Sequence, residues 1–198
     1  MKRRTTALAA ALSLLPLGQP LLLGSTTALA TAAVVLSTQA AHAQSAEDFL
    51  DAGVEKGRSG DYQGAIAELD KAIEINPMYT DAYYIRGYAK DELEDYQGAI
   101  ADYSKAIEIN PQYFFAYSNR GLAKDELEDY QGAIADYNKA IEINPRHAAV
   151  YNNRGIAKRN LGDQQGACAD YKKAASLGNQ GTAQWLSSAD GAWCRNMR

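Results

Sequence analysis

Acidic side chains form the densest cluster of potentially chemical residues in this sequence. The run DELED occurs twice, at residues 91–95 and 125–129, and closely spaced carboxylates raise the question of a calcium site. Calcium-binding loops place oxygen ligands at alternating positions around a central glycine, and neither run contains a glycine. Both runs are therefore interpreted as solvated helix ends, each closing on an aspartate that caps the following helix.

Few other residues are candidates for catalysis. The segment GDYQG at 60–64 looks glycine-rich, but its last glycine falls in the first turn of a predicted helix and not in a phosphate-binding loop. His147 is the one histidine after residue 43, and no cluster of metal ligands surrounds it in the sequence. No nucleophile motif is present. We therefore expect no enzymatic activity, no metal site and no cofactor.

The charge distribution argues against nucleic acid as a partner. Residues 1–43 contain three basic residues and no acid, so all 24 acidic residues of the chain lie in 44–198, beside 17 basic ones. Nucleic-acid affinity depends largely on neutralising phosphates with basic side chains, and this net-acidic body has no basic stripe. The 46% hydrophobic content of the whole chain is sufficient for a real core.

Residues 1–43 have the layout of a secretory signal. The basic start MKRR leads into the apolar segments ALAAALSLLPLGQPLLLG and ALATAAVVL, and AHA precedes Gln44. These are the parts of a cleaved export signal, so we expect cleavage after Ala43, with ALA at 28–30 as a second candidate site. We also expect no membrane attachment of the mature chain, and a bacterial periplasmic, secreted or, in a photosynthetic source, thylakoid-lumen location. The alternative is an uncleaved anchor, which Pro16 and Pro20 disfavour because they interrupt a spanning helix.

A repeat of 34 residues organises the rest of the chain. KAIEINP recurs at 71–77, 105–111 and 139–145, and DYQGAI at 61–66, 95–100 and 129–134, with an altered copy, DQQGAC, at 163–168. A fixed period of this length is typical of a tandem array. The period defines four units, at 46–79, 80–113, 114–147 and 148–181.

Each unit is predicted to be a pair of helices. In the second unit, apolar or small residues recur at helical spacing before Asp95 and again after it, and this aspartate stands where an N-cap is expected. Pro111 ends the second helix because proline cannot continue it. Gly87 and Ala99 are small and let the two helices approach closely, and equivalent pairs occur in the other units. One pair cannot cover its own apolar surface, so it stacks on the next.

The pattern of the units resembles the tetratricopeptide repeat. The matching positions are an aromatic at Phe49, Tyr83, Tyr117 and Tyr151, glycine at Gly53, Gly87, Gly121 and Gly155, alanine at Ala65, Ala99, Ala133 and Ala167, and the closing proline at Pro77, Pro111 and Pro145. The resemblance implies an all-α fold, a right-handed α-solenoid in which the first helices line a concave groove. Residues 182–198 lie outside the repeat and are predicted to form a capping helix over the fourth unit through Trp185 and Leu186.

The resemblance implies that a few first-helix positions face the groove. The candidate site residues are Asp81, Tyr84, Ile85, Tyr88, Phe115, Asn119, Leu122, Asn152, Asn153 and Ile156. Exposed aromatic rings beside amides suit an extended peptide, since rings supply contact area and amides bond its backbone. The acidic surroundings favour a partner with basic or neutral residues. A clamp for a chain-terminal carboxylate, which some family members build from lysine and arginine, is disfavoured because Asn119 alone fits it.

The expected function is that of an exported protein–protein interaction module, an adaptor or assembly factor that binds a peptide or protein segment in the groove. The alternative is a structural or self-associating stack in which these rings pack between neighbouring helices. Arg86, Arg120 and Arg154 precede the helix glycines and are interpreted as surface ion-pair partners that contribute little each.

The two cysteines are predicted to form a structural disulfide. Cys168 occupies the position that isoleucine holds in the other units, so it should be buried, and Cys194 lies in the tail. An exported chain meets oxidising conditions, in which such a bridge persists. The other reading is a small core side chain at Cys168 and an unrelated thiol at Cys194.

Overall fold

The computed structural model describes residues 45–195 and 197, and this part of the chain is all helical, without strands. Its ten helices are α1 (Ala46–Arg58), α2 (Tyr62–Ile75), α3 (Thr80–Asp91), α4 (Tyr96–Ile109), α5 (Phe114–Glu126), α6 (Tyr130–Ile143), α7 (Ala148–Asn160), α8 (Gln164–Ser176), α9 (Gln180–Ser187) and α10 (Ala192–Arg195). Among the described residues, no helix is both long and apolar enough to cross a bilayer. The predicted signal, 1–43, lies outside them.

Consecutive helices pack as the repeat predicts. The helices α1 to α8 form four antiparallel pairs, and each pair also contacts the next, second helix against following first helix. The first helices of successive repeats touch one another as well. The result is the predicted right-handed α-solenoid, in which the first helices, α1, α3, α5 and α7, line the inner surface.

Aspartate caps the second helix of every repeat and explains the glycines that follow it. The side chains of Asp61, Asp95, Asp129 and Asp163 each accept a hydrogen bond from the backbone N–H of the glycine three residues later. A Cβ atom on any of these glycines would collide with the capping carboxylate. The glycine therefore leaves room for the carboxylate in this position, although glycine otherwise destabilises a helix by about 1 kcal/mol relative to alanine.

The turn between the two helices of a repeat has one residue in the left-handed region. Its φ is 84° at Gly60 and 86° at Gly162, but 62° at Glu94 and 60° at Glu128. An L-residue with a side chain is disfavoured there by about 1–2 kcal/mol. The two inner repeats thus carry local strain in the DELED runs that the two outer repeats avoid with glycine.

The first-helix glycines allow the paired helices to pack closely. A Cβ atom on Gly87 would lie 2.8 Å from Cε1 of Tyr103, and one on Gly121 would lie 2.6 Å from the same atom of Tyr137. Both tyrosine rings are fully buried, so they cannot move aside easily. The prediction that small residues bring the helices together is confirmed, and the tyrosines are the groups that they accommodate.

We expect Gly121→Ala to lower the free energy of unfolding by about 1–3 kcal/mol, because overpacking a rigid core costs that much. Gly57→Ala is the matched control, since a Cβ atom there would meet only Ala65 Cβ, at 4.0 Å. That control should be neutral or stabilising by up to about 1 kcal/mol through helix propensity. Chemical denaturation of both variants measures the difference, and equal effects would contradict the packing argument.

The recurring arginines are not surface ion-pair partners, so that interpretation was wrong. The guanidinium of Arg120 donates through Nε and Nη2 to the two carboxylate oxygens of Asp136, at 2.9 and 2.6 Å. Asp136 is buried and also pairs with Lys124, at 2.8 Å. Arg86 and Arg154 make the same bidentate contact in their repeats.

Each of these arginines also links neighbouring repeats. Arg120 Nη1 donates to Ser104 Oγ at 2.9 Å, and Arg154 Nη1 to Asn138 Oδ1 at 2.6 Å, both on the second helix of the preceding repeat. The first repeat has Ala52 at this position. No preceding repeat exists among the described residues for an arginine at position 52 to reach.

The stack ends on the helices after the fourth repeat. Helix α9 packs against α8, and Trp185 contacts Tyr171 edge-on, with 5.0 Å between the ring centroids. The capping helix begins at Gln180, inside the range 148–181 that the period assigns to the fourth repeat. Cys168 and Cys194 are both buried and are joined by a disulfide, with their Cα atoms 5.3 Å apart, which ties α10 to α8.

Candidate ligand-binding groove

Large apolar side chains remain exposed along the inner surface. Tyr88, Leu122 and Ile156 are 41%, 37% and 36% exposed and occupy one equivalent position, 34 residues apart, on α3, α5 and α7. We call these three residues the apolar stripe. Phe115, which is 53% exposed, lies one turn before Asn119 on α5. Four of the ten candidate residues thus offer exposed apolar surface to a ligand.

Two further candidates hold each other in place. Asn119 Nδ2 donates a hydrogen bond to the Tyr84 hydroxyl at 3.2 Å. The Tyr84 ring also contacts Tyr113 edge-on, at 5.2 Å between centroids, and burial raises the pKa of the Tyr84 hydroxyl. Truncating Tyr84 would therefore disturb the packing between the second and third repeats as well as the groove surface.

The remaining candidates are engaged to different degrees. The Asp81 carboxylate accepts a hydrogen bond from the Tyr113 hydroxyl at 2.6 Å, although Asp81 itself is exposed. Ile85 packs on the core cluster between the first and second repeats. Asn152 accepts a hydrogen bond from Thr182 of the capping helix, at 2.6 Å, and Asn153 is half-buried on α7.

Carboxylates crowd the ends of α3 and α5. Burial, with the negative charges of Glu92 and Glu126, raises the pKa of Asp91 to about 6. Burial also raises the pKa of Asp125, against the hydrogen bond of 2.6 Å that it accepts from the Tyr137 hydroxyl. We call these four residues the acidic cluster. Because its members repel one another, a positively charged ligand segment would relieve an existing repulsion.

We expect Asp91→Asn to raise the free energy of unfolding at pH 7 by about 1–2 kcal/mol, because the substitution removes a carboxylate whose charged form is unfavourable in the folded chain. The expected gain is smaller than the raised pKa alone would give, since solvent screens a half-buried charge. The folded pKa of Asp91, about 6, is above that of the unfolded chain. The native state then binds more protons between about pH 4 and 6, and stability falls as pH rises through that window. Urea unfolding at pH 4 and pH 7 tests this, and a stabilisation that is equal at both pH values would contradict it.

A cavity lies at the C-terminal end of the inner surface, between α7 and α9. Its volume is about 310 Å³, and its lining includes Asn152, Ile156, Arg159, Tyr171 and Trp185. Ile156 belongs to the apolar stripe, so the cavity continues the surface formed by the exposed side chains. Among the described residues, no group of three or more histidine, cysteine, aspartate or glutamate side chains is arranged to hold a metal ion.

Sequence reasoning did not select Tyr171 or Trp185 as site residues. Tyr171 stands at a core position of the repeat and Trp185 in the predicted cap, so both had structural explanations. A comparison of equivalent repeat positions could have pointed to this end of the groove, because aspartate at 91 and 125 is replaced by arginine at 159.

Family comparisons agree with this architecture. Models described as "Tetratricopeptide repeat" match residues 80–113, 114–147 and 136–169, and one described as "TPR repeat" matches 58–91. Together these matches span 58–169, more than half of the chain. The chain belongs to the tetratricopeptide repeat family. Proteins of this family present extended concave surfaces to protein partners, so the chain is a protein–protein interaction module of that type.

Solved structures place it among tetratricopeptide repeat proteins. A crystal structure of MamA is similar with a TM-score of 0.68 and 28% identity, over 74% of this chain and 86% of that one. The tetratricopeptide repeat domain of Arabidopsis OM64 matches with a TM-score of 0.54 and 26% identity, over 59% of this chain and 93% of that domain. Tetratricopeptide repeats of this kind generally bind and do not catalyse.

One curated relative matches a shorter segment. The uncharacterized protein MJ0572 of Methanocaldococcus jannaschii is 43% identical over 44 residues, which is 22% of this tetratricopeptide repeat chain and 51% of that protein. This chain therefore spans about half the length of that relative.

Proposed function

We propose that this chain is an exported, non-catalytic adaptor or assembly factor that holds an extended segment of a protein partner in its groove. The observation that carries the proposal is the apolar stripe, Tyr88, Leu122 and Ile156, with Phe115 beside it. Side chains of this size, exposed at one equivalent position on the first helices of three successive repeats, have no folding reason to be apolar. They offer contact area to a chain that runs across the first helices.

The charges of the groove favour a partner segment with basic residues. The acidic cluster lies on the same helices as Tyr88 and Leu122, and Asp81 is exposed on α3. Lysine or arginine on the partner would meet these carboxylates at the edge of the apolar contact. Such pairs increase association rate and selectivity more than affinity.

Export by a cleaved signal, with the first 43 residues removed, is part of the proposal. The disulfide between Cys168 and Cys194 supports it, because structural disulfides are typical of oxidising compartments. A bacterial periplasm, the extracellular medium or a thylakoid lumen would each provide that environment. The alternative, an uncleaved anchor, would place the same groove at a membrane surface.

The second candidate function is self-association without a dedicated groove ligand. Met78 and Ile75, at the end of the first repeat, are 64% and 53% exposed and could contact another copy. In that case the mass of the protein in solution would rise with concentration, and groove substitutions would not affect it.

We expect Tyr88→Ala/Phe115→Ala/Leu122→Ala to weaken binding of the partner by at least about tenfold, because central apolar contacts dominate such interfaces. The matched control is Leu93→Ala/Leu127→Ala/Leu161→Ala, which removes similar exposed apolar side chains from the turns between helices. Both variants should fold, since all six residues are exposed. The measurement is capture of partners from the extract of the source cell by wild type and both variants, followed by titration of the captured protein.

A partner retained by wild type and by the turn variant but lost from the groove variant would support the proposal. Equal retention by all three proteins would refute the groove as the binding site. A captured protein identical to the bait, bound equally by the groove variant, would favour self-association.

A further inference from the structure

The fourth repeat reverses the charge at one position that faces the groove. Asp91, Asp125 and Arg159 are equivalent residues, 34 positions apart, near the ends of α3, α5 and α7. A tyrosine of the second helix is associated with each of them. In the third repeat the pair is bonded, since the Tyr137 hydroxyl donates to Asp125 Oδ2 at 2.6 Å.

The fourth repeat keeps the tyrosine but lacks the acceptor. Tyr171 is 3% exposed, and its buried hydroxyl has no hydrogen-bond partner among the described residues. It lines the cavity together with Arg159. Burial raises the pKa of Tyr171, and the nearby positive charge of Arg159 partly offsets this rise. The Tyr103 hydroxyl also lacks a partner in the part of the chain that the structure describes, but there the nearby charge is the carboxylate of Asp91.

We propose that this cavity binds a carboxylate group of the bound partner segment, which takes the place that an aspartate occupies in the second and third repeats. The Tyr171 hydroxyl and the Arg159 guanidinium are both hydrogen-bond donors, and a carboxylate oxygen accepts from both. An unpaired buried hydroxyl is unfavourable, and the ligand removes that cost. This inference rests on the proposed groove function and specifies where one end of the bound segment lies.

The rest of the lining suits the stem that carries the carboxylate. Ile156 and Trp185 are apolar surfaces on opposite helices, α7 and α9, and Asn152 contributes an amide. The volume of about 310 Å³ is at the small end of ligand pockets. It accommodates one or two residues of a chain and not a whole domain surface.

The proposal gives the bound segment a polarity. Its basic residues lie over the acidic cluster at α3 and α5, and its carboxylate lies at the capping helix. The carboxylate could be the chain terminus or an aspartate or glutamate side chain, and these two sources share the same chemistry. Among the equivalent positions 91, 125 and 159, only Arg159 is basic. Asn119 occupies a different position of the repeat, so the proposed carboxylate site is not the disfavoured clamp.

The test uses small probes and the purified protein. N-acetylglycine represents a chain terminus, N-acetylglutamic acid α-amide represents an acidic side chain, and N-acetylglycinamide and N-acetylglutamine amide are their neutral counterparts. NMR titration follows the indole N–H of Trp185 and the amide of Gly181, both in the cavity wall. We expect at least one carboxylate probe to cause saturable shifts and its neutral counterpart to cause none.

Two variants separate this site from a nonspecific response. Arg159→Gln should weaken the carboxylate probe by about tenfold or more, since it removes the charge-assisted bonds. Tyr171→Phe should weaken it too without lowering the Tm of the free protein, and should raise that Tm slightly, because the buried hydroxyl has no hydrogen-bond partner among the described residues. Tyr137→Phe is the matched control, which should lower the Tm because it breaks the bond to Asp125, but leave probe binding intact.

The carboxylate probe that binds more tightly identifies the source, a chain terminus or an acidic side chain. Three outcomes would overturn the proposal: no saturable shift at millimolar probe, equal shifts from the neutral probes, or unchanged binding to Arg159→Gln. The groove proposal is tested separately, because Tyr88, Phe115 and Leu122 lie outside this cavity. Loss of partner binding in that variant together with a negative probe titration would leave the groove in place without its carboxylate anchor.

Discussion

Asp136→Ala is expected to lower the free energy of unfolding by about 3–5 kcal/mol, the usual cost of leaving a buried ion-pair partner uncompensated. The carboxylate of Asp136 receives two hydrogen bonds from Arg120 and one ion pair from Lys124. Removing it leaves two cations in a low-dielectric site. Because Arg120 also reaches Ser104 of the preceding repeat, we expect the loss to weaken the contact between repeats as well. Denaturant unfolding followed by circular dichroism measures the change.

Asp70→Ala is the matched control for that substitution. Asp70 pairs with Arg86, but its side chain is 56% exposed, so its loss should cost no more than about 1 kcal/mol. Arg120→Met/Asp136→Leu is a second control, which removes both partners and should recover part of the stability. If Asp136→Ala lowers the free energy of unfolding no more than Asp70→Ala does, the arginines do not form stabilising buried ion pairs between helices.

Reduction of the disulfide is expected to lower the free energy of unfolding by about 3–4 kcal/mol in the chain-entropy view, given the sequence separation of 26 between Cys168 and Cys194. The bond closes the capping helix α9 into a loop against α8, so its loss also frees the wall of the cavity. Thermal unfolding with and without reductant measures the effect, and we expect a lower Tm in reductant.

Cys194→Ala isolates the bond from other effects of reductant. Its Tm should lie at or slightly below that of the reduced wild type and should not respond to reductant. Cys194 is buried, so a further small loss from its packing would appear equally in both conditions. A wild-type Tm that is insensitive to reductant would show that the tail makes no contribution through the bond.

The helix pairs could be predicted because their signals are local and repeated. Asp95 caps α4, and Asn110, with φ at −128° before Pro111, ends it, both as the sequence predicts. The recurrence of Gly98 had no sequence explanation, because its cause is a steric contact between a Cβ atom and the capping carboxylate. Such a contact requires coordinates of the cap.

The arginine links could not be predicted with the same ease. Arg120 and Asp136 are 16 residues apart on different helices, and sequence alone gives no measure of the burial of Asp136. An aspartate in the middle of a predicted helix reads as a solvent-facing residue, and only the packing of two repeats shows that it is enclosed. The repeat pattern did contain a hint. The arginine and the aspartate recur together in the second, third and fourth repeats, whereas the first repeat has Ala52 and Glu68 at these two positions.

The sequence predicts which helix positions lie on the inner surface, but it does not predict which of their side chains are exposed and which pack against neighbours. Tyr88, Leu122 and Ile156 follow directly from one repeat position and are exposed. Tyr84 and Ile85 occupy neighbouring positions on the same helix, yet Tyr84 packs on Tyr113 and Ile85 on the core between repeats. Which side chain of a helix edge turns inward depends on the angle between adjacent repeats, and the sequence of one helix does not determine that angle.

If the cavity binds a carboxylate as proposed, the charge reversal at Arg159 gives the repeat array specificity at one position. The four units share the residues that pack them, so a position that departs from the others is free of that packing demand. With Arg159 in place of an aspartate, the buried Tyr171 hydroxyl has no acceptor within the described part of the chain, which is a cost to the free protein. A ligand carboxylate would recover that cost on binding, and the equivalent sites of the inner repeats, already occupied by aspartates, would reject it.

The most direct test of the groove is site-specific photo-crosslinking in the source cell. A benzophenone amino acid replaces Phe115, exposed on the inner helix α5, or Glu108, exposed on the second helix α4. We expect a crosslink from position 115 to one partner, at a segment that contains basic residues, and little crosslinking from position 108. Crosslinks of equal yield from both positions, or to that partner from position 108 alone, would contradict the groove as the binding site.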